Sequence, residues 1–143
     1  MRLVLIPQTQ NRPNPSRPNC PWKGFFRVIE IPSNQCVYWE DCTEEPRDGA
    51  QTEEEARLRV EAEIEDRKGS ERGLARLANG ILCHALMHNP HAALVAEFIA
   101  GSTWRDLRVA NELTDYNLDG WEGVAHPSEI REILGRLRGL LNP

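Results

Sequence analysis

The chain has 143 residues, 40% apolar and 27% charged, with a formal net charge of −5. That composition excludes a disordered chain, and the length suits one core shared by one or two small domains. No apolar run approaches the ~20 residues of a membrane span, and the apolar run in MRLVLIPQ is too short for a secretory signal, so a cytoplasmic protein is expected.

Four cysteines (Cys20, Cys36, Cys42, Cys83) then read as reduced thiols, and none falls in a C-x-x-C pair. Fifteen arginines stand against two lysines, a bias that suits a GC-rich bacterial or phage genome. Charge is unevenly placed. Residues 1–29 carry five basic side chains and no acidic one, whereas residues 30–66 carry thirteen acidic against three basic. A local balance of −10 repels nucleic acid and attracts basic partners.

Taken in order, Arg2 to Ile6 reads as a short strand. Five prolines between Pro7 and Pro21 remove backbone donors and predict an irregular or polyproline-like arm. Gly24–Ile31 and Cys36–Asp41, rich in aromatic and β-branched residues and joined by PSNQ, read as a β-hairpin. With Arg2–Ile6 at its edge the sheet would have three strands, and it needs a covering helix.

Thr52 to Lys68 is the expected cover. Thr52 and Glu55 make a T-x-x-E capping box, although Ala56, Leu58, Val60, Ala62 and Ile64 alternate with polar residues as in a strand. The cap and the Ala/Glu/Arg/Leu content favour helix. A hairpin followed by Gly49, Thr52, Glu55 and Ala56 is similar to HicB-type antitoxins and integrase arm-binding modules. The pattern is common in small α+β proteins and implies nothing about function.

Gly69–Ser70 ends that helix. Leu74, Leu77, Ala78, Ile81, Leu82, Ala85 and Leu86 then share one face of a second helix, the stripe that anchors the fold. Asn89 and Pro90 supply an N-cap and a first helical residue. Ala92–Ala100, apolar on almost every side apart from Glu97, should be the most buried helix. Trp104 to about Leu113 reads as a further helix. Pro127–Leu141 places Ile130, Ile133, Leu134, Leu137, Leu140 and Leu141 on one stripe. The expected architecture is α+β: residues 1–69 form a β-hairpin or three-stranded antiparallel sheet with one helix and a Pro-rich arm (7–21), and residues 70–143 form a bundle of about four helices.

Chemistry-bearing patterns are sparse. Asp115, Asn117 and Asp119 before Gly120 match the first half of a calcium loop, but position twelve is His126 instead of a bidentate Glu. Turn formation explains them better. His84 and His88, four apart beside Cys83, have the spacing of a shared metal site but lack further ligands. No cofactor is expected. Phosphate-loop, dinucleotide and nucleophile-elbow motifs are absent, and Cys83 reads as a small buried hydrophobe. A pairing of Cys36 or Cys42 with a helix histidine is the remaining nucleophilic arrangement.

The expectation is therefore a non-enzymatic interaction protein, of the size and charge of phage anti-defence proteins including anti-CRISPRs. It would inhibit or remodel a basic subunit of a nucleic-acid-handling complex. Candidate partner-binding residues are Glu40, Asp41, Glu44, Glu45, Asp48, Glu53 and Glu54, with Trp22 and Trp39 as aromatic anchors. The alternatives are a helical nucleic-acid-binding regulator, using Arg105 and Arg108 or Arg131, Arg136 and Arg138, and a metal-binding protein built on the 115–126 loop.

Overall fold

A computed structural model describes residues 1–44, 48–102, 104 and 127–142. The elements are β1 (Arg2–Asn11), β2 (Trp22–Ile31), β3 (Gln35–Asp41), α1 (Glu53–Gly69), α2 (Glu71–Leu86), α3 (Pro90–Ala100) and α4 (Pro127–Leu141). The strands form an antiparallel sheet in the order β1-β2-β3, followed among the described residues by four helices, an α+β fold. The expected helix from Trp104 to Leu113 lies outside the described residues apart from Trp104, which is buried.

The N-terminal strand is longer than expected. Pairing with β2 continues through Pro7↔Phe26 to Asn11↔Trp22, so the predicted Pro-rich arm loses its first five residues to the sheet. Arg12 N–H donates to Pro21 O at 2.7 Å, one step past the last pair. By antiparallel alternation, even-numbered residues of β1 then direct their amides at β2, and Pro7 sits where an amide would point away from it. An edge strand tolerates proline there. Beyond Asn11 the chain turns through bonds from Arg17 N–H to Asn14 O and from Cys20 N–H to Arg17 O.

Leu3, Phe26, Val28 and Val37 join the core, while Ile6, Arg27 and Trp39 are exposed on the opposite face. α1 crosses the inner face so closely that a Cβ on Gly24 would lie 2.5 Å from Val60 Cγ2 and 2.8 Å from Ala56 O. Its cap follows the sequence: Thr52 Oγ1 accepts from Glu55 N–H at 3.1 Å. The Glu55 carboxylate reaches back to Gln51 N–H at 3.2 Å, one residue before the cap. Helical geometry splits the alternating pattern, with Ala56 and Val60 buried and Leu58 and Ala62 turned outward.

α2 is the central element, packed against α1, α3, α4 and β3. All seven predicted stripe residues are in or against the core, Leu86 only partly buried. A Cβ on Gly80 would lie 2.4 Å from the Tyr38 ring, so this glycine lets β3 seat on the helix. Among the described helices α2, not α3, is the most buried. On α3, Ala92, Val95, Ala96 and Ile99 are buried, but Leu94 and Phe98 are exposed. Apolar content did not decide the outcome: among the described residues α3 packs on α2, α4 and β3 through one stripe and leaves Leu94 and Phe98 exposed. The predicted stripe of α4 is buried throughout. Arg136 Nη1 donates to Ile99 O at 3.2 Å, satisfying a carbonyl at the end of α3. The core is one cluster running from Leu3 to Leu141.

Candidate functional site

The inner side of α1 brings polar groups together against β3. Arg67 occurs seven residues after Val60 and eleven after Ala56, the spacing that returns a helical position to the buried face. Its side chain is fully buried. Nη1 pairs with Asp66 at 2.6 Å and with Glu63 at 2.9 Å, and Nη2 pairs with Glu40 of β3. The guanidinium also lies 6.0 Å from the Phe26 ring centroid. Burial alone would lower the Arg67 pKa, but Glu40, Glu63 and Asp66 outweigh it and hold the pKa above its ordinary value. Among the described residues Nε has no hydrogen-bond partner.

Glu40 is the shared acceptor. Tyr38 Oη donates to it at 2.7 Å, and Arg76 of α2 approaches it at 3.7 Å. Tyr38, Glu40, Asp41, Cys42, Glu44, Glu63 and Arg76 line a cavity of about 390 Å³. Burial pushes the Cys42 thiol up to about 12, helped by the carboxylates of Glu40 and Glu63 against Arg67. Burial and the neighbouring carboxylates thus favour the protonated form of the Cys42 thiol.

A second cluster ties down the chain around Asp48. Lys23 pairs with Asp48 and approaches Asp41 at 3.7 Å. Asn14 Nδ2 donates to Asp48 at 2.9 Å. The Lys23 hydrogen bond, aided by the lysine charge, holds the Asp48 carboxyl below its usual range. Asp41 Oδ1 accepts from Thr43 N–H at 2.8 Å and from Thr43 Oγ1 at 2.9 Å, and buried Thr43 in turn accepts from Gly24 N–H at 3.2 Å. Glu40, Asp41 and Asp48, three of the candidate partner-binding carboxylates, thus hold the sheet to its neighbours.

The other candidates are distributed differently. Glu44 is exposed at the cavity, and Glu45 lies outside the described residues. Glu53 and Glu54 are exposed in the first turn of α1, where Glu53 accepts from Thr9 Oγ1 at 3.0 Å. Trp39 is 52% exposed on the outer sheet face, edge-on to Phe25 with centroids 6.1 Å apart. Trp22 is half-buried and bridged by its backbone to Ala50.

One group, Glu54 apart, escaped the sequence reading. Glu54, Leu58, Glu61, Ala62 and Glu65 are all exposed, and helical spacing places them on one outer ridge of α1. Leu58 is 57% exposed among the three glutamates. Of the four basic residues on this helix, Arg67 is buried, Arg59 is bound by Glu55 at 2.7 Å and by Gly49 O at 3.2 Å, and Lys68 is half-buried, while Arg57 is exposed at the flank of the ridge, three residues after Glu54 and four before Glu61. The signal was present as a leucine out of phase with Ala56 and Val60.

The histidine pair does not form a helical metal site. α2 ends at Leu86, and His88 is exposed in the corner with φ 67°, so the four-residue spacing no longer sets both rings on one face. His84 is half-buried, edge-on to Tyr38 at 5.1 Å, and burial lowers its pKa. Among the described residues, no three His, Cys, Asp or Glu side chains converge on a metal position. Asp115, Asn117 and Asp119 lie outside the described residues, as do Arg105 and Arg108. Cys83 is half-buried rather than buried, with its thiol pKa raised by burial. Among the described residues no helix is long and apolar enough to cross a membrane. Comparison with known proteins finds no matching family, no matching curated protein and no matching solved structure.

Proposed function

We propose that this is a non-enzymatic interaction protein that engages a basic protein surface through the outer ridge of α1. The observation that carries the reading is the exposure of Leu58 and Ala62 between Glu54, Glu61 and Glu65. An exposed leucine offers an apolar anchor, and the glutamates around it favour a cationic rim on the partner. Glu44, Glu53 and Glu54 extend the negative field toward the start of the helix.

The same field opposes the phosphate backbone, which disfavours direct nucleic-acid binding by this face. Proteins that handle nucleic acid carry basic surfaces, and a subunit of such a complex is the partner class proposed. Inhibition or remodelling of that complex, in the manner of a phage anti-defence protein, is the narrower form of the proposal.

The test is affinity capture from bacterial lysate with the wild-type chain and a Glu54→Lys/Glu61→Lys/Glu65→Lys variant, each with and without nuclease. The expected result is a protein partner that survives nuclease and is lost with the variant. Recovery that disappears with nuclease and is untouched by the reversals overturns the reading and favours a nucleic-acid regulator.

A further inference from the structure

Among the described residues one side of α3 is left uncovered, and its pattern is symmetric. Leu94 is 57% exposed and Phe98 51% exposed, adjacent one turn apart, while Pro90 and Glu97 are also exposed. Pro90 stands four residues before Leu94 and Phe98 four after; His91 stands three before and Glu97 three after. A second α3 running antiparallel, related by a two-fold axis at Leu94, would set Leu94 on its own counterpart and Phe98 against the other copy's Pro90.

Charge decides the orientation. In the antiparallel arrangement Glu97 lies beside His91 and the N-terminal turn of the other helix, where the peptide dipoles favour a carboxylate. A parallel arrangement would set the two Glu97 side chains together. Met87, 75% exposed at the corner before α3, would then face the opposite end of the second helix. There a Cβ on Gly101 would meet nothing within 4 Å among the described residues.

We propose that α3 is a self-association surface, two copies of this chain meeting through antiparallel α3 helices about Leu94. The surface is separate from the outer ridge of α1 and does not depend on the partner proposed for that ridge. An eleven-residue helix spans only about 16 Å. Stable complexes bury roughly 1,200–2,000 Å², so a contact of this size gives a weak, reversible dimer.

Sedimentation equilibrium of the full chain from about 10 µM to about 1 mM tests it across the range of weak association. A concentration-dependent dimer is expected for the wild type. Leu94→Glu should be monomeric at every concentration with an unchanged circular dichroism spectrum, since the side chain is already exposed. Glu97→Lys should weaken the dimer, and adding His91→Glu should restore it. Mild oxidation of Leu94→Cys should cross-link two copies faster than oxidation of Leu58→Cys, whose position is equally exposed on α1, with the wild type giving the background from native thiols. A wild type that stays monomeric at the highest concentration overturns the proposal. So does a dimer that Leu94→Glu leaves intact.

Discussion

On the inner side of α1, Glu40, Glu63 and Asp66 close around Arg67; on its outer side, Glu54, Glu61 and Glu65 stand in solvent around Leu58. Both groups belong to the same acidic stretch of sequence. The inner carboxylates compensate a charge that has left water, and their loss would expose the chain to a desolvation cost. The outer ones compensate nothing that deeply buried. The difference shows that net charge along a sequence says little about how much charge a partner meets. What matters is how many carboxylates the fold has already engaged.

Removing the buried cation should produce the largest effect. Arg67→Ala leaves Glu40 and Glu63 facing one another beside the cavity, and stability in a urea titration should fall by about 3–5 kcal/mol. A loss below about 1 kcal/mol would mean that water solvates the inner group and that the contrast between the two sides is smaller than drawn.

Next in size is the junction that holds β3 against α2. Gly80→Val forces its side chain into the Tyr38 ring, 2.4 Å from where a Cβ would start. A cost of about 1–3 kcal/mol is expected by thermal unfolding. Because Tyr38 bonds Glu40, the same substitution should disturb the inner network, seen as faster labelling of the Cys42 thiol by maleimide.

Cys42 also gives the inner side a pH signature. Its thiol titrates near 12 in the folded protein against an ordinary 9.0. Between those values the unfolded chain has released the proton and the folded chain retains it, so stability falls as pH rises from 9 to 12. Cys42→Ala should remove that fall and leave the neutral-pH profile alone, measured by denaturant midpoints across the alkaline range.

Much of the fold was legible because periodicity and caps report local geometry. The stripe of α2, the stripe of α4, the Thr52 cap and the Asn89–Pro90 start all rest on interactions within a few residues. Thr52 Oγ1 bonds Glu55 N–H, and Asn89 Oδ1 accepts from His91 and Ala92 N–H at 3.1 Å. The readings that failed depended on what lay across the fold. Pro7 reads as a breaker unless its missing amide is known to face away from β2. The apolar residues of α3 read as buried unless the described elements are known to pack on the side away from Leu94. The site was less legible still. Glu40 and Asp41 look like surface acids in sequence, yet Arg67 and Lys23, distant along the chain, engage them. Arg67 could have been found by its phase with Ala56 and Val60, as could the outward phase of Leu58.

The smallest expected effect is also the one that best separates the two sides. Reversing Glu54, Glu61 or Glu65 to Lys touches no buried partner, so each should change stability by no more than about 0.5 kcal/mol. Glu54→Lys should be the least favourable of the three, because it sets a cation in the first turn against the positive end of the helix. Arg57 gains a like-charged neighbour when Glu61 is reversed, four residues on, a further small cost. Both penalties are screened by salt, whereas the loss from Arg67→Ala is not, because Arg67 is itself fully buried and its partner Glu40 is only 16% exposed. Repeating the denaturant titrations at low and high ionic strength therefore distinguishes the groups without a partner in hand. A salt-sensitive outer set and a salt-insensitive inner set support the division. An outer reversal costing as much as Arg67→Ala would show that the ridge has a structural role and is not free to bind.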